Sequence, residues 1–145
     1  MPSLTYPLSQ ENILFARCFG HIAPTDVINW NVEKKIKANG NQTLTTLVDL
    51  SEVTSTDMTF DHMHVVYGQL ARYYEARELT LHLILFAPKD LAFGMTRILQ
   101  SLTGMTDFVK VDIFRNPEKL PSLLPELDLN LEDLRNLTMP QGNLG

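Results

Sequence analysis

The stretch Val48–Phe60 reads VDLSEVTSTDMTF, and it decides the fold because a strand ends and a helix begins within it. Residues 44–50 are rich in Leu, Val and Thr, which predicts a strand. A long amphipathic helix is predicted over residues 58–76, because apolar side chains recur there at spacings of three and four. Asp57 is its expected N-cap, since the carboxylate can accept a hydrogen bond from the first turn. The predicted buried stripe of this helix consists of Phe60, Met63, Tyr67, Leu70 and Tyr74.

Similar patterns predict the other elements of an α/β domain. Strands are expected over residues 4–8, 13–19, 81–87 and 109–113, and helices are expected to begin at Pro24, Pro88 and Pro117. Leu81–Ala87 is the most apolar of the strands, so Leu83 and Leu85 should be almost wholly buried inside the sheet. Strands that alternate with helices predict an α/β sandwich with a central mixed β-sheet and about four helices.

A leucine-rich tail follows Pro125. Residues 1–125 are predicted to form one domain, and residues 126–145 a tail whose end is disordered. The tail carries leucines at positions 127, 129, 131, 134 and 137. Because the domain before them looks complete, we expect these leucines to meet a protein partner or a second copy of the chain in a homodimer. The competing prediction is that the tail folds back over a sheet face that the helices leave bare.

The composition restricts the class of partner. Twelve basic and seventeen acidic residues among 145 give a net charge of −5, which argues against binding to nucleic acid or to anionic membranes. No apolar stretch approaches the roughly 20 residues that span a bilayer, and no signal peptide is visible. The single cysteine, Cys18, excludes an internal disulfide. The expectation is a soluble cytoplasmic protein without a membrane span.

The side chains that could carry chemistry form no recognised motif. The sequence has no glycine-flanked serine, no phosphate-binding loop and no dinucleotide fingerprint. His62 and His64 are two residues apart, so they point to different sides of a helix and cannot form a zinc pair. We therefore expect no catalytic residues, no metal site and no cofactor.

The end of the strand predicted over residues 44–50 and the start of the helix that follows it carry a resemblance to a known family. Asp49-Leu50-Ser51-Glu52-Val53 and then Asp57-Met58-Thr59-Phe60 resemble the SpoIIAA-like, or STAS, superfamily of anti-sigma-factor antagonists and sulphate-transporter domains. In that family the strand ends in Asp-Leu-Ser-x-Val, and Asp-Ser-Ser-Gly begins the helix. A partner kinase phosphorylates the second serine, and Thr59 falls on that position. Met58 and Phe60 depart from the pattern, since they replace the first serine and the glycine.

The second half of the chain resembles the STAS/Sec14-like proteins of bacteria, through Ala87–Arg97 and Val111–Asn116. The resemblance implies a SpoIIAA-like sandwich that acts as a non-enzymatic binding or regulatory module. Such a module would recognise a protein partner through the loop and helix around residues 51–60. The implied contact residues are Ser51, Asp57, Thr59 and Phe60, with Thr59 as a phospho-switch.

The Sec14-like resemblance also implies an alternative function, a carrier of a small molecule or lipid. A pocket for a small apolar ligand would then open between the helix predicted over residues 58–76 and the helix expected to begin at Pro88. Arg97 would meet an anionic head group. The residues expected around this pocket are Met63, Tyr67, Phe93, Met95 and Arg97.

Overall fold

The computed structural model of the chain describes residues 3–7, 13–27, 43–104, 106–125, 127 and 130–137. The strands in these ranges are β1 (Ser3–Pro7), β2 (Ile13–Ile22), β3 (Thr43–Thr56), β4 (Thr80–Phe86) and β5 (Val109–Phe114). The longer helices are α1 (Phe60–Ala76), α2 (Asp90–Thr103), α3 (Leu120–Leu123) and α4 (Leu131–Leu137), and a 3₁₀ turn, Pro117–Lys119, precedes α3. Residues 24–27 are helical, and the rest of the helix predicted from Pro24 lies outside the described residues.

One sheet contains all five strands in the order of the sequence. The sequence predicts a mixed sheet, but β2–β5, which carry the core, are all parallel, and the antiparallel pairing is confined to β1 at the edge. The reason is the length of the connections. Only residues 8–12 join β1 to β2, which suits a hairpin, whereas each later connection is long enough for the crossover that parallel strands need. The α/β class is confirmed.

The sheet separates two apolar cores, because successive side chains of a strand point to opposite faces. Val48 and Leu83 belong to the core beneath α1 and α2, and Leu47 and Ile84 belong to the core beneath α3 and α4. The strand β4 lies between β3 and β5, and its Leu83 and Leu85 are buried. The prediction that this strand lies inside the sheet is confirmed.

The tail covers the second face of the sheet. Leu127, Leu131 and Leu134 are buried in one cluster with Phe15 and Phe86. For these three leucines the competing prediction is confirmed and the expected contact surface is wrong. Because α1 and α2 both pack on the other face, the apolar side chains of this face need a cover, and the tail is next in the chain. Leu129 and the side chain of Leu137 lie outside the described residues.

The start of α1 differs from the prediction. The N-cap is Thr59, whose Oγ1 accepts a hydrogen bond from the His62 N–H at 3.2 Å. The predicted N-cap, Asp57, is wrong, because β3 continues to Thr56 and the helix begins two residues later than expected. The residues of α1 that are buried are Met63, Val66, Leu70 and Tyr74.

Phe60 was expected in the buried stripe, yet it is 54 % exposed. A helical side chain covers the turn that precedes its own residue. Phe60 occupies the first helical position, where there is no preceding turn for its ring to cover.

Candidate functional site

The candidate site lies where β3 reaches its carboxyl end and α1 begins. In α/β proteins this edge of a parallel sheet is the usual place for a binding site. Asp57, Thr59 and Phe60 are all exposed in the short connection and at the first helical position. Ser51 does not join them, because its Oγ accepts a hydrogen bond from Nη2 of Arg135 in α4 at 2.8 Å, on the opposite face of the sheet. The site is therefore formed by three of the four residues predicted for partner binding.

The connection is fastened to the end of β2 by His21. Nε2 of His21 lies 2.9 Å from Oδ2 of Asp57, and Nδ1 lies 2.7 Å from Oγ of Ser55. Sequence reasoning missed His21 and Ser55, which are 34 residues apart. The pairing of β2 with β3 places their Cα atoms opposite each other, so knowledge of that register would have revealed the contact.

The contacts of His21 have the order Ser–His–Asp, but the surroundings do not suit a nucleophile. The side chain of His21 is 47 % exposed and that of Asp57 is 71 % exposed. A catalytic triad holds its carboxylate buried, where the charge strongly orients and stabilises the histidine. In this exposed position the carboxylate and the hydroxyl hold the imidazole by hydrogen bonds, and the arrangement fixes the course of the loop.

Thr59 and His62 form a reciprocal cap at the N-terminus of α1. The Thr59 N–H donates to Nδ1 of His62 at 3.0 Å, while the Thr59 hydroxyl oxygen accepts from the His62 N–H. A histidine thus takes the place that Glu or Gln usually occupies in a capping box. Both groups are exposed, so the cap lies on the surface of the candidate site.

A buried carboxylate anchors the other face of β3. Asp49 is 2 % exposed, and its Oδ2 accepts a hydrogen bond from Nε of Arg135 at 2.7 Å. Burial by itself raises the pKa of Asp49, but the hydrogen bonds from Arg135 and Ser51 outweigh it, and the pKa is lowered. The hydrogen bond to Asp49 raises the pKa of Arg135. This ion pair ties α4 to the sheet.

A cavity of about 100 Å³ lies between the sheet and helices α1 and α2. Its walls include Cys18 and Leu83 from the sheet, Met58 from the connection, Met63 from α1 and Met95 from α2. Two of the five residues predicted for a ligand pocket, Met63 and Met95, therefore line it.

The other three predicted pocket residues, Tyr67, Phe93 and Arg97, are not among the residues that line this cavity. Arg97 is exposed, and its guanidinium lies 5.8 Å from the centre of the Phe93 ring. Arg97, which was expected to meet an anionic head group, is thus not part of the cavity wall.

In the part of the chain that the structure describes, no three His, Cys, Asp or Glu side chains are grouped so that they could hold a metal ion. No helix in those ranges is both long and apolar enough to cross a membrane. No protein-family model matches the chain, and a search of curated proteins finds no significant similarity.

Proposed function

We propose that the chain is a non-enzymatic binding or regulatory module of the SpoIIAA-like type, located in the cytoplasm, which recognises a protein partner through residues 51–60 and the start of α1. The observation that carries the proposal is the exposure of Phe60 at the first position of α1. Its ring makes an edge-to-face contact with the ring of His64, with 4.7 Å between the ring centres. A large, rigid side chain at the surface supplies the kind of anchor that fills a pocket on a partner.

The charges beside Phe60 define the chemistry of the partner. Asp57 and Asp61 flank it in the sequence, and both are exposed. Charge complementarity favours a partner that offers an apolar pocket for Phe60 and Lys or Arg at the rim. A second copy of the chain is the less favoured partner, because a symmetric contact would bring the same acids together.

Thr59 is the proposed point of regulation. A phosphate on its hydroxyl would replace the cap bond to the His62 N–H, yet it would remain at the N-terminus of α1, where backbone N–H groups favour a negative charge. Asp57 and Asp61 would repel the same phosphate. Phosphorylation would therefore change both the charge and the shape of the surface around Phe60.

The test replaces Phe60 with the photo-cross-linker p-benzoylphenylalanine in cells. Leu91 of α2 is the matched control position, because it is also apolar and is 44 % exposed. The proposal requires a protein that cross-links at position 60 and not at position 91. For that protein, once purified, Phe60→Ala should weaken binding at least about tenfold, while Leu91→Ala should leave it unchanged. Equal affinities of the two variants would refute the proposal.

The second candidate is a carrier of a small molecule or lipid, and the cavity is the observation that favours it. A volume of about 100 Å³ suits one ring or a short alkyl chain, so a carrier would enclose a small ligand or only the end of a lipid. Native mass spectrometry of the purified chain tests this function. A carrier should retain a co-purified ligand, and a chain purified without one would argue against the carrier.

A further inference from the structure

We infer that the cavity between the sheet and helices α1 and α2 is a binding site for a small uncharged apolar molecule, the size of one aromatic ring or a short alkyl chain. Occupancy of this site regulates partner binding, because it sets the conformation of the connection that carries Asp57, Thr59 and Phe60. The second statement rests on the proposed function of that connection, and the first does not.

The described residues in the wall of the cavity offer a water molecule few partners. The hydroxyl of Thr96 donates to the carbonyl oxygens of Ala92 and Phe93, at 2.9 and 3.1 Å. Burial raises the pKa of the Cys18 thiol to about 12, so this group stays uncharged. A buried water needs two to four polar partners, and engineered apolar cavities of about 150 Å³ stay dry and bind benzene or xenon. An apolar molecule is therefore the occupant that this lining favours.

The shape of the cavity can adapt to its occupant. Met58, Met63 and Met95 all contribute to the wall, and methionine side chains re-pack easily because they are unbranched and flexible. Met58 and Met95 are only half-buried, so part of the wall lies near the surface at these two residues. We expect a ligand to enter through movement of these flexible side chains.

Two of these methionines are close to the candidate site in the sequence, since Met58 lies between Asp57 and Thr59 and Met63 lies three residues after Phe60. The Met58 N–H donates to Oγ1 of Thr56 at 3.0 Å, and the Met63 N–H donates to the carbonyl oxygen of Thr59 at 3.0 Å. A change in the position of either side chain therefore acts on a backbone that also carries Thr59 and Phe60. If the connection exists in two conformations, a ligand in the cavity shifts the equilibrium between them only as far as it binds one conformation more tightly than the other.

Benzene and xenon are the probes for the first statement. The full chain is titrated with each while the methyl signals of Met58, Met63 and Met95 are followed by NMR. We expect saturable shifts of all three signals. The absence of saturable shifts would overturn the site. So would contacts between these methyls and the ring of Trp30 in the unliganded chain, because the chain itself would then fill the cavity; Trp30 lies outside the described residues.

Two double variants supply the control. Val48→Ile with Val66→Ile adds bulk to the wall and should weaken benzene binding at least tenfold. Val53→Ile with Val111→Ile adds the same groups to the same core away from the wall and should leave binding within twofold. Equal weakening in both double variants would show a general loss of packing and would overturn the site.

Amide hydrogen exchange tests the second statement without a partner. Saturating benzene should slow exchange at residues 57–63 at least threefold and leave α4, on the other face of the sheet, unchanged. Benzene binding without this change would overturn the coupling. The affinity of the purified partner for Phe60→Ala is measured separately, so failure of the proposed function is distinguished from failure of the coupling.

Discussion

At the scale of single residues, Asp49 and Arg135 determine how the tail is attached. A carboxylate taken out of water is tolerated only when hydrogen bonds and an opposite charge replace the water. Asp49 receives both, from Nε of Arg135 and from the backbone N–H of Ser51 at 2.9 Å. Arg17 adds a more distant charge, with Nε 4.0 Å from Oδ2.

The first prediction at this scale concerns pH. The pKa of Asp49 is lower in the folded chain than the ordinary value of 3.8, so its contribution to stability is present above that value and is lost as the pH falls through the folded-state pKa. Asp49→Asn should lower the free energy of unfolding at pH 7 by about 1–3 kcal/mol. The difference between the two proteins should shrink below pH 4.

Urea unfolding at a series of pH values measures this difference. Asp107→Asn is the control, because Asp107 is exposed. Its difference from the wild-type chain should stay small at every pH. A gap between wild type and Asp49→Asn that does not narrow in acid would contradict the assignment of Asp49 as the titrating group.

At the scale of elements, the connection between β3 and α1 combines two tasks. Its backbone ends a strand and starts a helix, while its side chains form the surface proposed for a partner. Thr59 serves the first task as N-cap and the second as an exposed hydroxyl. Regulation through Thr59 would therefore alter the helix end and the binding surface together.

Substitutions at the two possible caps distinguish the structure from the sequence-based expectation. Thr59→Ala removes a cap bond and should cost about 1 kcal/mol of unfolding free energy. Thr59→Ser should retain most of that stability. Asp57→Ala removes an exposed contact with His21 and should cost less than about 0.5 kcal/mol. Thermal or urea unfolding ranks the three variants by stability. A larger loss of unfolding free energy for Asp57→Ala than for Thr59→Ala would indicate that Asp57 is the N-cap.

At the scale of the whole molecule, the tail covers the face of the sheet that α1 and α2 leave bare. The helices α1 and α2 bury one face of the parallel sheet, and the tail, with α3 and α4, buries the other. Both faces of the inner strands are therefore covered, as parallel sheets require.

A substitution at Leu134 measures how much the tail contributes to the free energy of unfolding. It is fully buried, so Leu134→Ala should cost about 2–5 kcal/mol, whereas Asn136→Ala at an exposed position of α4 should have little effect. Removal of residues 126–145 should give an unfolded or aggregating chain, as seen by circular dichroism and sedimentation velocity. A folded, soluble monomer after this truncation would show that the tail is dispensable.

The order of the strands and helices could be predicted from the amino-acid sequence alone, and so could the burial of Leu83 and Leu85. These are local properties, since apolar periodicity reports which side of a strand or helix faces a core. The sequence placed Met63 and Met95 around a pocket but could not separate them from Tyr67, Phe93 and Arg97. A shift of one helical position changes which side chains reach the cavity.

The contacts that join distant parts of the chain could not be predicted from the sequence and are known only from the folded structure. Asp49 and Arg135 are 86 residues apart, and no local pattern relates them. The side of the sheet taken by the tail, the pairing of His21 with Asp57 and the exposure of Phe60 all depend on which surfaces α1 and α2 cover first. These features follow from the way whole helices and strands pack together, and the apolar periodicity of a single segment gives no information about that packing.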